Sequence, residues 1–189
     1  MWRSRKSAED VLKTRRFENV VLPHLSAAYN LARRLTRHSE NAEDLVQEAC
    51  MRAFKFFDGF HGNDARAWLL TIVRNTCYTW LQNAKMENCQ TNYDEEAHSL
   101  EAENSPAVDL WRDDPEVLVL RHADQELINR ALDKLPLEFR EVVVLRELED
   151  FSYKEIAAIA DIPLGTVMSR LARARKLLVE IVQRMKRDA

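Results

Sequence analysis

Glycine and proline are scarce in this sequence, which has three glycines and five prolines among 189 residues. Chains built from many strands and tight turns use more of both, so the scarcity argues against a β-rich fold and favours an all-α one. Apolar residues make up 46% of the chain, which is enough for the cores of one or two small helical domains.

Cysteines and long apolar runs are also few. The three cysteines, Cys50, Cys77 and Cys89, are an odd number and form no Cys-x-x-Cys pair, which argues against a disulfide framework and a structural zinc site. No apolar run approaches the roughly 18 residues that cross a bilayer. The basic start of the chain is not followed by the apolar segment of a signal peptide. We therefore expect a cytoplasmic protein without membrane insertion.

Signatures of catalysis are missing. The sequence has no phosphate-binding loop, no His-Glu-x-x-His motif and no nucleophile elbow. Adjacent carboxylates such as Glu43 and Asp44 are more often solvated than catalytic. The five histidines are scattered along the chain: His24, His38, His61, His98 and His122. We expect a protein that is not an enzyme and that has no catalytic residue, cofactor or metal site.

The net charge of −3 conceals a strong asymmetry along the chain. Residues 1–16 and 164–187 are basic, whereas residues 94–116 carry nine acidic side chains against one arginine. A polyanion such as DNA would bind the two ends and would be repelled by the middle.

The first half of the chain has the apolar periodicity of three helices: one at about residues 17–37, a second that ends at about Phe57, and a third at about 65–84. Pro23 predicts a kink or a late start in the first helix. The candidate caps are Ser39 or Asn41 for the second helix and Asn63 or Asp64 for the third. The expected inward residues of the second helix are Leu45, Val46, Ala49, Ala53 and Phe56.

The periodicity fails after residue 86 and returns near Pro115. The acidic, aperiodic stretch between them is typical of a flexible linker, with a short helix near Val108–Trp111. Residues 1–16 fit either a disordered arm or an added helix. We divide the chain into a basic N-terminal arm at 1–16, a first domain at 17–86, an acidic linker at 87–114 and a second domain at 115–189.

The second domain contains the pattern of a helix-turn-helix. Ser152 and Glu155 form a capping box at the start of a short helix, and the break at 161–163 precedes a long basic helix from about 164 to 186. Ile162 suits the turn as an apolar plug, and Val167 and Leu171 suit the inward face of the second helix. Short and cationic side chains on its outer face fit a DNA groove, because arginine pairs with guanine edges and phosphates.

Two segments resemble one known family. "NAEDLVQEACMRAFKFF" with "ARAWLLTIVRNTCYTWLQNAK" is similar to region 2, and "LPLEFREVVVLRELEDFSYKEIAAIADIPLGTVMSRLARARKLL" to region 4, of bacterial sigma factors of the extracytoplasmic-function (ECF) group of the sigma-70 family. The resemblance covers about residues 17–84 and 115–180, in the family's order and with a linker between the two segments.

The resemblance implies an alternative sigma factor of the stress or envelope response. Such a protein binds core RNA polymerase through the β′ clamp helices and the β flap, recognises the −10 and −35 promoter elements, and assists promoter melting. The resemblance further implies control by an anti-sigma factor.

The same resemblance implies three sets of contact residues. The −35 element would be contacted by Thr166, Met168, Ser169, Arg170, Arg173 and Lys176, although many relatives have a basic residue in place of Met168. The −10 element would be contacted by His61, Asn63, Asp64, Arg66, Arg74, Asn75, Tyr78 and Thr79. Core polymerase would be contacted by Asp44, Gln47, Glu48 and Arg52.

Two other classes of protein compete with this interpretation. A helix-turn-helix also occurs in stand-alone repressors and activators, but these usually need a dimerisation or ligand-binding domain, and neither is visible in the sequence. A hydrolase or another enzyme would need a catalytic constellation that the sequence does not show.

Overall fold

The computed structural model describes residues 2–62, 64–91 and 126–188, with side chains for residues 10–62, 64–86 and 126–188. All regular structure in these ranges is helical, as the composition predicts. The α-helices are α1 (Trp2–Val21), α2 (Leu25–Thr36), α3 (Ser39–Phe56), α4 (Ala65–Thr91), α5 (126–133), α6 (Leu137–Val143), α7 (Tyr153–Ala160) and α8 (Leu164–Arg187).

Helices α2, α3 and α4 pack together as the core of the first half. Their buried stripes follow the three- and four-residue spacing of the sequence. The central members of the core are Ala28, Leu31, Leu35, Leu45, Ala49, Leu69, Leu70 and Val73. The three helices predicted for this half are confirmed.

The chain enters this bundle through a broken helix. Residues 2–16, for which the sequence left an arm or a helix open, belong to α1, which continues to Val21. A 3₁₀ turn at Leu22–His24 then separates α1 from α2. Pro23, which predicted a kink or a late start here, explains this interruption, because it has no N–H to donate to a continuous helix.

Two local expectations in α3 are wrong. Phe56 is 62% exposed, whereas Phe57 is fully buried. Phe57 follows the buried Ala53 by four residues, and residues four apart lie on the same face of a helix. Ser39 is the first residue of α3 and Asn41 lies inside the helix, while His38 occupies the cap position without a side-chain bond. The helix therefore begins before either predicted cap. The alternative cap of α4 is confirmed, because Asp64 Oδ1 accepts a hydrogen bond from the Ala67 amide at 2.9 Å.

Helices α5 to α8 form the second half, with the predicted helix-turn-helix at α7 and α8. The Glu155 amide donates to Ser152 Oγ at 3.3 Å, and the Ser152 amide donates to Glu155 Oε2 at 2.7 Å, which confirms the capping box. Asp161 ends α7 in the left-handed conformation with φ 52°. Ile162, Val167 and Leu171 pack into the core as expected. Helix α6 continues through a π-helical turn at Val144–Leu148.

Much of the predicted linker lies outside the described residues. The proposed short helix at Val108–Trp111 lies there too, and so, outside the linker, do the expected start of the second domain at Pro115 and the loop residue Asn63. Helix α4 runs to Thr91 and so extends into the segment 87–114 that the sequence assigned to the linker.

The two halves contact each other directly. Helix α4 packs against α7, and α2 packs against α6, so that buried residues of both halves form one continuous cluster. This contact positions the candidate site described below.

The neighbouring phenylalanines of α3 give a matched test of the fold. Phe57→Ala should lower the free energy of unfolding by about 3–5 kcal/mol, because it empties a fully buried site. Phe56→Ala removes an exposed ring and should change the same free energy by no more than about 0.5 kcal/mol. Urea unfolding followed by circular dichroism measures both. Equal losses in the two variants would contradict the assignment of Phe57 to the core.

Candidate nucleic-acid interface

The outer face of α8 is the first candidate surface for DNA. Val167, Leu171 and Ala174 are buried on the inner face of this helix. The opposite face exposes Ser169, Arg173 and Lys176 to solvent. Within the described ranges, no hydrogen bond or ion pair engages Arg173 or Lys176, whereas Arg175 is held by Glu147 at 2.6 Å. Two unengaged cations one turn apart form a surface that suits phosphate or a base edge.

The remaining predicted −35 residues surround these cations. Met168 is 53% exposed and contributes an uncharged thioether. Ser169 Oγ donates to the Thr166 carbonyl at 3.0 Å, which orients the hydroxyl along the helix surface. Thr166 and Arg170 are half-buried, and Arg170 lies toward the first half of the chain.

An aromatic cluster anchors the loop that leads into α4. The Phe60 and Trp68 rings have centroids 4.7 Å apart, and Phe57 stacks on Phe60 at 6.2 Å. Phe17 meets Phe57 edge-on at 5.2 Å. The cluster holds the chain on both sides of His61, Gly62 and Asp64, which are exposed. Trp68 is therefore a packing residue rather than a free platform for bases.

The predicted −10 residues of α4 divide into two groups. Asn75 and Thr79 are exposed, and Thr79 Oγ1 donates to the Asn75 carbonyl at 2.9 Å. Arg66, Arg74 and Tyr78 are half-buried, because the second half of the chain covers them.

Glu141 of α6 engages two of these three side chains. Arg74 Nε donates to Glu141 Oε1 at 2.7 Å, and Tyr78 Oη donates to Glu141 Oε2 at 2.9 Å. The Arg74 guanidinium also lies over the Tyr78 ring, 4.2 Å from its centroid. Glu141 is fully buried, so both its oxygens depend on these donors.

The electrostatics of Arg74 and Tyr78 follow from this contact. Burial, and then the charge and hydrogen bond of Glu141, raises the pKa of Tyr78, and the positive charges of Arg74 and Arg170 oppose this only in part. Burial disfavours the charge on Arg74, but the bond to Glu141 outweighs it and the pKa of Arg74 is raised. Arg74 is therefore charged and the Tyr78 hydroxyl protonated at neutral pH.

Glu149 engages the third side chain. It is buried and forms an ion pair with Arg66 Nη2, and it accepts a hydrogen bond from Asn30 Nδ2 at 3.3 Å. The Arg66 guanidinium also lies 4.7 Å from the centroid of the Phe151 ring. Glu149 and Phe151 both belong to the segment between the π-helical turn and α7.

The sequence did not predict that the carboxylates of Glu141 and Glu149 contact the residues of α4 and α2. Glu141 and Glu149 lie in an amphipathic stretch of mixed apolar and charged residues, where a glutamate is normally solvent-facing. Their burial depends on α4 and α2, which are distant in sequence. No periodicity or motif could have found them.

The outer face of α3 is a separate surface. Asp44 and Gln47 are exposed, and Glu48 and Arg52 form an ion pair one turn apart on the same helix. Met51 and Phe56 of the same helix are 63% and 62% exposed, and the sequence had assigned neither to this surface. A polar row with exposed apolar side chains next to it suits the docking of another protein.

The described ranges contain neither a candidate metal site nor a candidate membrane span. No group of histidine, cysteine and acidic side chains there could hold a metal ion. None of the helices described has the length and the apolar character required of a membrane span.

Comparison with known proteins identifies the family. Residues 20–86 match the family described as Sigma-70 region 2, and residues 125–178 match Sigma-70, region 4. The ECF RNA polymerase sigma-E factor of Escherichia coli is 36% identical over 148 residues, which are 77% of this chain and 75% of that protein. The chain belongs to the ECF sigma-factor family.

Two further relatives extend the likeness over nearly the whole length of this sigma factor. The RNA polymerase sigma-H factor of Pseudomonas aeruginosa is 29% identical over 178 residues, covering 93% of this chain and 90% of that one. The sigma factor RpoE of Bartonella quintana, solved in complex with the anti-sigma factor NepR, is 30% identical. It superposes with a TM-score of 0.69 over 88% of this chain and 96% of that one.

Cys77 is buried on the inner face of α4, and this burial predicts how slowly its thiol reacts. Burial raises the pKa of Cys77 to about 12. At pH 8 about one such thiol in ten thousand is ionised, and only the thiolate reacts with iodoacetamide. We expect native Cys77 to be alkylated far more slowly than the half-buried Cys50, as measured by peptide mass mapping over time. Denaturation should abolish the difference, and rapid labelling of native Cys77 would contradict the packing of α4.

Proposed function

We propose that the chain is a non-catalytic specificity subunit of RNA polymerase, which directs the core enzyme to a set of promoters in the cytoplasm. One observation is the strongest support for this proposal. A cationic helix-turn-helix and a region 2 bundle occur together in one chain, and relatives named as sigma factors match that chain over most of their length.

Each surface has a role in this proposal. The exposed face of α8, with Ser169, Arg170 and Arg173 as principal contacts, reads the −35 element. Thr166 and Lys176 bind its phosphates, and Met168 contributes an apolar contact where a cation would bind phosphate. Arginine at a base edge supplies about 1–3 kcal/mol of discrimination.

The first half reads the −10 element. His61, Asn63 and Asp64 form the loop that receives an unpaired base, and Arg66, Arg74, Asn75, Tyr78 and Thr79 line the adjoining face of α4. Extruding a base costs a few kcal/mol of stacking, which cation and aromatic contacts offset. The protein therefore assists melting by binding the separated strand, without covalent chemistry.

The third surface binds the polymerase. Asp44, Gln47, Glu48 and Arg52 on α3 contact the β′ clamp helices, with Met51 and Phe56 supplying the apolar part of the interface. The second half contacts the β flap. The likeness to the sigma factor RpoE, which was solved with the anti-sigma factor NepR, supports control of this chain by an anti-sigma factor.

Transcription with purified components tests the function. Core polymerase from the source bacterium is supplied with its genomic DNA, with and without the full chain, and transcript start sites are mapped. We expect new start sites that share two spaced upstream elements. Identical start sites with and without the chain would overturn the proposal. Binding of DNA by the chain in the absence of any association with core polymerase would favour a stand-alone regulator instead.

A matched arginine pair on α8 tests the reading face. Arg173→Ala should weaken promoter binding by the holoenzyme by about 5- to 150-fold, since it removes a base or phosphate contact worth about 1–3 kcal/mol. Arg184→Ala removes the same charge from the exposed last turns of the same helix and should leave affinity within about two-fold. Fluorescence anisotropy with a mapped promoter measures both. Equal losses would indicate general charge attraction rather than groove recognition.

A further inference from the structure

We propose that α8 recognises A·T base pairs of the −35 element through an apolar row, Leu164, Met168 and Ala172, which contacts the C5-methyl groups of thymine in the major groove. The inference rests on the proposed function of α8. It adds Leu164 and Ala172, which are not among the −35 contacts that the resemblance implies, and it gives Met168 a part in base recognition.

The apolar row is a continuous feature of the exposed side of α8. Its members follow one another at intervals of four residues, so they lie one above the other along the helix. Leu164 is 42% exposed and Met168 is 53% exposed, and Ala172 is exposed as well. Exposed apolar residues that are scattered singly need no explanation, whereas a row of them forms a surface.

The position and the neighbours of the apolar row indicate DNA as its partner. In a helix-turn-helix, the N-terminal residues of the second helix contact the base edges, and Leu164 is the first residue of α8. Arg173 and Lys176, whose cations are exposed, lie at the C-terminal end of the row. An apolar surface beside free cations fits a polyanion that carries apolar groups of its own. Thymine presents such a group, its C5-methyl, in the major groove.

The other side chains at the start of α8 leave A·T pairs largely to the apolar row. Residues 164–176 contain no Asp or Glu, which accept from cytosine, and no Asn or Gln, which pair with adenine through two hydrogen bonds. The arginines suit guanine, because its O6 and N7 atoms are acceptors. Ser169 Oγ already donates to the Thr166 carbonyl at 3.0 Å. The thymine methyl group is therefore the feature of an A·T pair that this helix is best equipped to contact.

Met168 gives the apolar row its reach. An unbranched thioether side chain adapts its shape to an irregular apolar surface. A lysine or arginine at this position, as in many relatives, would bind phosphate, and phosphate contacts fix the register of a protein on DNA without carrying sequence information. In this chain the same position therefore contributes to the choice of sequence instead of to general attraction.

Deoxyuridine scanning with the unmodified chain tests the inference. Deoxyuridine lacks only the C5-methyl group of thymidine, so it removes the proposed contact and keeps the base pair. Each thymine of the mapped −35 element, on either strand, is replaced in turn, and fluorescence anisotropy measures promoter binding by the holoenzyme. We expect at least one replacement to weaken binding about two- to four-fold, as the loss of one buried methyl group implies. Replacements between the two promoter elements are the control and should leave the affinity unchanged.

Two double variants assign the effect to the apolar row. Leu164→Gln/Met168→Gln replaces the two large apolar side chains of the row with amides. The control, Leu22→Gln/Val179→Gln, makes the same kind of change at positions that are 47% and 55% exposed and lie outside the row. The quantity compared is the ratio of the affinities for the thymine and deoxyuridine promoters. We expect this ratio to fall close to one in Leu164→Gln/Met168→Gln and to keep its full size in the control.

Three results would overturn the inference. They are the absence of an effect at every thymine of the element, an unchanged ratio in Leu164→Gln/Met168→Gln, and a failure of this variant to join core polymerase while the control joins it. The last result would assign the row to a protein interface. None of them would alter the proposed function, which depends on redirected start sites. A chain that binds DNA but never redirects core polymerase would refute the proposed function, and the same scan of its binding site would then test the row.

Discussion

The compact structure depends on the buried carboxylate of Glu141. Its two donors, Arg74 and Tyr78, both lie on α4 in the other half of the chain. A buried carboxylate that loses its donors costs far more than one that is paired or hydrated. Small displacements between the halves that break these two bonds are therefore penalised.

Helix α4 links this interaction to the core of the first half. Leu69, Leu70 and Val73 are buried against α2 and α3, which fixes the rotation of α4 about its axis. Arg74 and Tyr78 are one helical turn apart and so reach the same carboxylate from one face. The rigidity that would suit α4 for reading a DNA strand also aligns these side chains for Glu141.

The surfaces of the chain differ in availability in the compact state. The polar and apolar face of α3 is exposed, as are Arg173 and Lys176 on α8, whereas Arg66, Arg74 and Tyr78 are engaged. A partner can therefore dock on α3 without displacing the contacts of these three side chains.

The sequence by itself determined the helices, the helix-turn-helix with its Ser152–Glu155 capping box, and the family, because these depend on local spacing and on short-range hydrogen bonds. It also located the cations of α8, since a charge on the outer face of a helix follows from periodicity. It placed Phe56 inward where Phe57 is buried, a one-residue error at a helix end. Only the tertiary structure decided that Glu141, Glu149 and Arg140 are buried and that Arg66 and Arg74 are paired. The burial of a charge depends on which distant helix covers it, and no local pattern encodes that partner.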